Sequence, residues 1–170
     1  MRNNVLSRLW VLLVVLCCAA CAVPDPAPEM GASVSTSSGV VSAETGPEGS
    51  LIFRDIPYAQ PPQGAGRWAA PVALTAPDHD ITPKAEPVMC PQPQSMASGG
   101  VEGEYLGSED CLYLDIYAPG TPDSTDLPVM LWIHGGSNVT GHKGTYDFSR
   151  FAVRERVVVV VINYLSLIHI

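Results

Sequence analysis

The sequence predicts an α/β fold, an antiparallel hairpin leading into a mixed, mostly parallel sheet, on three observations. Two continuous apolar runs, "PVMLWIH" from Pro128 and "RVVVVVIN" from Arg156, have the composition of strands covered on both faces. Between them, "TYDFSRFAVRER" is spaced as a short amphipathic helix, with Phe148, Phe151 and Ala152 toward the sheet and Thr145 or Asp147 as its cap. Strand, helix and strand in that order make a βαβ crossover. Upstream, "GVVSA" and "SLIFRDIPYA" flank the turn-rich "ETGPEG" and form the hairpin.

The elements follow in chain order. "MRNNVLSR" is basic, and "LWVLLVVLCCAA" is apolar and ends in small residues, so residues 1–22 have the layout of an export signal. The run is too short and too early for a membrane span. Two processing routes stay open: release after the Ala20 and Ala22 site, or lipidation at Cys21, which follows two alanines in "CAAC". Residues 23–38 are Pro- and Ser-rich and read as a tether. After the hairpin, an irregular stretch from Pro61 to about Glu109 is too long for an ordinary connection, so it should carry function or be pinned. "CLYLDIYAP" alternates, with Leu112, Leu114 and Ile116 on one face and Tyr113, Asp115 and Tyr117 on the other, as in a half-buried strand.

Composition narrows the function. The chain has 170 residues, 46% of them hydrophobic and 15% charged, the balance of a globular body. Its net charge of −8 becomes more negative once Arg2 and Arg8 leave with the leader, and no basic stripe offers phosphate a partner, so nucleic acid is excluded. Of five cysteines, Cys17, Cys18 and Cys21 lie in the leader or at its end. Cys90 and Cys111 remain, either as a disulfide closing a loop of about 20 residues, worth roughly 3 kcal/mol, or as two separate buried thiols.

The most informative stretch is "LWIHGGSNVTG", from Leu131 to Gly141, where an apolar strand runs directly into a histidine, two glycines and a serine. Loss of side chains at that point lets something approach the backbone closely. "NVT" at Asn138 has the form of a glycosylation acceptor and is read here as plain loop sequence. His79 and His142 lie in turn-like stretches without a paired nucleophile and are read as surface residues.

Four pieces in order, "FRDIPYAQPPQGAGRWAAP", "SEDCLYLDIYAP", "LPVMLWIHGGS" and "VVVVVINY", resemble the amino-terminal part of the type B carboxylesterase and cholinesterase family. The resemblance covers about residues 39–164 and implies an incomplete α/β-hydrolase fold. It implies that the amides of Gly136 and Ser137 form an oxyanion hole, with His134 and Gly135 supporting the loop. Ser137 stands where a third glycine or an alanine is usual, which keeps the N–H but adds a hydroxyl that bears on substrate scope. The resemblance also implies a Cys90–Cys111 disulfide, a structural Arg67–Glu109 salt bridge, a small carboxylic ester as substrate, and neither cofactor nor metal. Membrane contact is expected only through the lipid anchor.

No G-x-S-x-G occurs in the chain; Gly135 to Val139 comes nearest and has Val in place of the second glycine. In the family the catalytic serine, acid and histidine lie beyond the equivalent of Tyr164. "LSLIHI", residues 165–170, departs from the family's continuation and matches a translated sequencing adaptor, so this tail is expected to be foreign to the gene. The expectation is therefore an exported serine esterase whose amino-terminal fragment is inactive alone. The alternatives are a cholinesterase-like binding or adhesion protein without the serine, and a complete small structural lipoprotein.

Overall fold

The computed structural model describes residues 30–76, 78–94, 101, 103–121 and 126–165. The leader, Cys21 and the tail from residue 166 lie outside these residues. The strands are β1 (Met30–Thr36), β2 (Gly39–Thr45), β3 (Ser50–Pro57), β4 (Asp80–Ile81), β5 (Gln92–Pro93), β6 (Tyr105–Leu106), β7 (Tyr113–Pro119), β8 (Val129–Ile133) and β9 (Val158–Ile162). The helix α1 spans Ser149–Glu155. Part of the stretch read as a tether is thus the strand β1.

The main sheet runs β1-β2-β3-β7-β9-β8, with β4 beside β2. Its pairings correct the expected mostly parallel sheet. β1–β2, β2–β3, β3–β7 and β7–β9 are all antiparallel, and only β2–β4 and β8–β9 are parallel. The physical reason is the supply of crossovers. A parallel pair joined in sequence needs a long return connection, and among the described residues only β8–α1–β9 has a helical one. The preceding strands turn back on themselves, and β9 inserts between β8 and β7, antiparallel to β7.

Both faces of β7 are used. Leu114 and Ile116 pack against a core of Val41, Ala43, Phe53, Ile56 and Ile81. On the other face Tyr117 joins Ile52, Ala152, Val159 and Val161 beneath α1. The face carrying Tyr113, Asp115 and Tyr117 is the more buried of the two, although it contains the strand's one charge. Among the described residues β8 is covered on one face. Met130 and Trp132 pack toward α1, while Val129, Leu131 and Ile133 are exposed. Among the described residues β8 lies at one end of the sheet order, and α1 covers one of its faces.

Helix α1 is short because its apolar face is short. Ala152 is wholly buried and Phe148 meets Tyr117 and Trp132 edge-on or tilted, but Phe151 is exposed rather than turned to the sheet. The Asp147 carboxylate accepts the Ser149 amide at 2.8 Å, satisfying one orphan donor of the first turn. Arg156 ends the helix in the left-handed region, φ 52°.

The irregular region is pinned. Cys90 and Cys111 form a disulfide with Ala59 and Leu112 packed around it. Arg67 and Glu109 are joined as an ion pair, and β5 pairs with β6 in a separate small sheet. The cysteines are 21 residues apart, so the cross-link contributes about 3 kcal/mol by restricting the unfolded chain. Urea unfolding with and without a reductant is expected to differ by that amount, and a C90A/C111A variant should match the reduced protein. Equal midpoints under both conditions would contradict this.

Candidate functional site

The loop after β8 is built around peptide planes rather than side chains. A peptide unit is rigid and trans, so fixing its carbonyl fixes the opposite N–H. The Gly135 carbonyl accepts from His134 Nδ1 at 2.9 Å, which sets the direction of the Gly136 amide. The Gly136 carbonyl accepts from the amides of Val139 and Thr140, each at 3.0 Å, which sets the Ser137 amide. Among the described residues, the Gly136 and Ser137 amides themselves donate to no acceptor, and both residues are exposed. Two oriented, unpaired donors therefore lie next to each other at the end of a strand.

Backbone conformation explains the glycines. Gly136 has φ 115°, and a Cβ there would overlap the carbonyl oxygen of Thr140, the residue whose amide helps to close the turn. Gly141 has φ 116°, and a Cβ there would overlap Nδ1 of His134. Ser137 and Asn138 both take the left-handed conformation at φ 57°, a strained state for a serine that a third glycine would adopt freely.

His134 is buried, and its ring stacks on Tyr164 with centroids 4.4 Å apart. Because a carbonyl only accepts, Nδ1 carries the proton in its bond to Gly135. The Tyr164 hydroxyl donates to the His134 carbonyl at 2.9 Å. The histidine is thus occupied as a brace between β8 and the segment after β9.

Sequence reasoning missed the loop's other end. Lys143 is 5% exposed, and its ammonium lies 2.6 Å from Asp115 Oδ1 and 2.7 Å from Asp55 Oδ1. Asp55 reaches this point because β3 bulges between Phe53 and Ile56, putting Asp55 at φ 55°. Its amide donates to Asp115 Oδ1 at 2.8 Å, and its Oδ2 accepts from the Lys84 amide at 2.8 Å. Asp115 Oδ2 is buried without a hydrogen bond; the Arg54 guanidinium stands 3.9 Å away, an ionic contact only. The Lys143 amide donates to Asn163 Oδ1 at 2.7 Å, and Asn163 Nδ2 donates to the carbonyls of Val88 and Cys111. Gln92 holds Gly141 from the other side. The signal for Asp115 was its placement between Tyr113 and Tyr117; nothing local marks Gln92.

His142 is half-buried between the loop and this cluster, and its Nδ1 accepts from the Gly144 amide at 3.1 Å. Burial first, then the charges of His134 and Lys143, hold its pKa below the ordinary 6.5. As pH falls below 6.5 the unfolded chain takes up a proton that the folded state refuses. Its contribution to stability is complete above that value and is lost as pH falls through the lowered pKa. H142Q is expected to flatten the loss of stability as pH falls below 6.5, measured by urea unfolding; an unchanged pH slope would contradict this.

Comparison with known proteins places this arrangement in a class. The sequence matches the carboxylesterase family over residues 31–165. It is 39% identical over 133 residues to the para-nitrobenzyl esterase of Bacillus subtilis, covering 77% of this chain and 27% of that protein. It is 40% identical over 128 residues to the human cocaine esterase, covering 68% and 22%. A solved PNB esterase superposes with a TM-score of 0.69 at 38% identity, over 79% of this chain and 28% of the other. A carboxylesterase of Geobacillus stearothermophilus superposes with a TM-score of 0.65 at 34% identity, over 81% and 27%. The chain belongs to the carboxylesterase family, a branch of the α/β-hydrolases. It spans about a quarter of the length of these relatives.

Proposed function

We propose that the chain is the amino-terminal portion of an exported serine carboxylic-ester hydrolase whose oxyanion hole is formed by the Gly136 and Ser137 amides. The observation that carries this reading is the pair of exposed, unpartnered N–H groups held by the carbonyls of their own peptide units. When a serine attacks an ester, the carbonyl oxygen becomes an alkoxide. Preorganised donors stabilise that charge more than the neutral ground state, at about 2.7–4 kcal/mol per donor. The hydroxyl that Ser137 adds at this position would bear on which esters the site accepts.

The nucleophile, base and acid come from beyond Tyr164 of the longer protein, so the 170-residue chain alone is inactive. The Bacillus and human relatives are named as esterases, and a small carboxylic ester is the substrate class proposed here. The signal-like leader supports export, with release and lipidation at Cys21 as its two routes.

A sequencing read across the native locus, from the codons of Val157 past Tyr164, tests the proposal. The expected result is an open frame that replaces "LSLIHI" and continues into G-x-S-x-G. A frame continuing without that serine would turn the reading to a binding protein, and a genuine stop after Ile170 would overturn it.

A further inference from the structure

We propose that Gln92 is a positioning residue for the oxyanion hole, holding the loop to the Cys90–Cys111 disulfide through both polar groups of Gly141. This rests on the reading of the Gly136 and Ser137 amides as the hole's donors. Gln92 is buried, and its amide grips one residue with two hands. Oε1 accepts from the Gly141 amide at 2.7 Å, and Nε2 donates to the Gly141 carbonyl at 3.0 Å. Nε2 also donates to the Cys90 carbonyl at 3.1 Å, so the grip is referenced to a cross-linked cysteine. These partners fix the orientation of the side-chain amide, because an N–H requires the oxygen and two carbonyls require the nitrogen.

Gly141 transmits this restraint. Its α-carbon packs so closely on the His134 ring and the Gly135 carbonyl that no Cβ fits between them. The Gly135 carbonyl and the Gly136 amide belong to one rigid peptide unit. A shift of Gly141 therefore turns the first donor of the hole. Displacements on the order of 1 Å at a catalytic group cost about 100-fold in rate, so a side chain that never meets the substrate controls kcat.

The experiment uses the full-length enzyme and two variants. Gln92→Met keeps the length of the side chain and removes every hydrogen bond; Gln92→Glu keeps the acceptor for the Gly141 amide and loses the donor to its carbonyl. The readouts are kcat per phosphonate-titrated active site, KM, and the affinity of a trifluoromethyl ketone whose adduct carries the oxyanion. For Gln92→Met, kcat is expected to fall about 10- to 100-fold, with KM nearly unchanged and the ketone weakened by the same factor. For Gln92→Glu, activity relative to wild type is expected to rise as pH falls and the carboxyl regains a proton to donate. Wild-type kcat per active site in Gln92→Met, or a pH-independent ratio for Gln92→Glu, would overturn the proposal. If the wild-type enzyme itself binds the ketone no more tightly than its substrate, the oxyanion reading fails instead.

Discussion

Lys143→Met in the full-length protein is expected to lower the unfolding free energy by about 3–5 kcal/mol, the loss typical when one partner is removed from a buried ion cluster. Among the described residues, the ammonium is the only cation within hydrogen-bonding distance of both the Asp55 and Asp115 carboxylates. Without it, two carboxylates that already meet through the Asp55 amide and Asp115 Oδ1 are left buried side by side. The half-exposed Arg54, 3.9 Å from Asp115 and engaged at 3.1 Å with Glu44, is a poor substitute. Neutralising the acids as well, in a D55N/D115N/K143M variant, should recover most of the loss, since removing a whole buried cluster is far cheaper than orphaning part of it. Urea unfolding of the single and triple variants checks this; a single variant within about 1 kcal/mol of wild type would show that the cluster is not stabilised by its lysine.

The second large effect falls on the rate. Gly136→Ala is expected to reduce kcat of the full-length enzyme by about 10²- to 10³-fold, the loss associated with removing an oxyanion donor. At φ 115° an alanine is strained, and its Cβ overlaps the Thr140 carbonyl. The turn closed by the Val139 and Thr140 amides must open, so the Gly136 carbonyl rotates and takes the Ser137 donor with it. KM should change much less than kcat, because on the proposed reading these donors act on the charged transition state. Steady-state kinetics of the purified variant decide the matter; an unaltered kcat would remove Gly136 from the catalytic account.

Parts of this fold were legible in the sequence because they are written in local periodicity. The β8–α1–β9 unit follows from two apolar runs around a short amphipathic segment, and the β2–β3 hairpin follows from turn residues between two strands. The disulfide was legible because reading residues 1–22 as a leader left a single pair of cysteines. Strand direction across the whole sheet was not, since pairing partners are set by tertiary contacts that periodicity does not encode. The βαβ unit suggested a parallel sheet, yet the earlier strands pair antiparallel.

The site divides in the same way. The Gly-Gly-Ser loop advertised itself by the loss of side chains at the end of a strand. Its supports did not, because they come from distant positions. Asp115 lies 28 residues before Lys143 and 60 after Asp55, and Gln92 lies 49 before Gly141. Gln92 is unremarked in its own segment, and Asp115 shows locally only as one member of the face it shares with Tyr113 and Tyr117. A lone aspartate in an alternating strand reads as solvent-facing, and a glutamine between two prolines reads as loop.

The central claim, that Gly136 and Ser137 hold the developing oxyanion, is tested most directly by a crystal structure of the full-length protein inactivated with a phosphonate. The predicted result is a phosphonylated serine on a G-x-S-x-G turn, with the phosphoryl oxygen about 2.7–3.1 Å from both amides. A phosphoryl oxygen held by other donors, or a protein in which no serine is labelled, would contradict it.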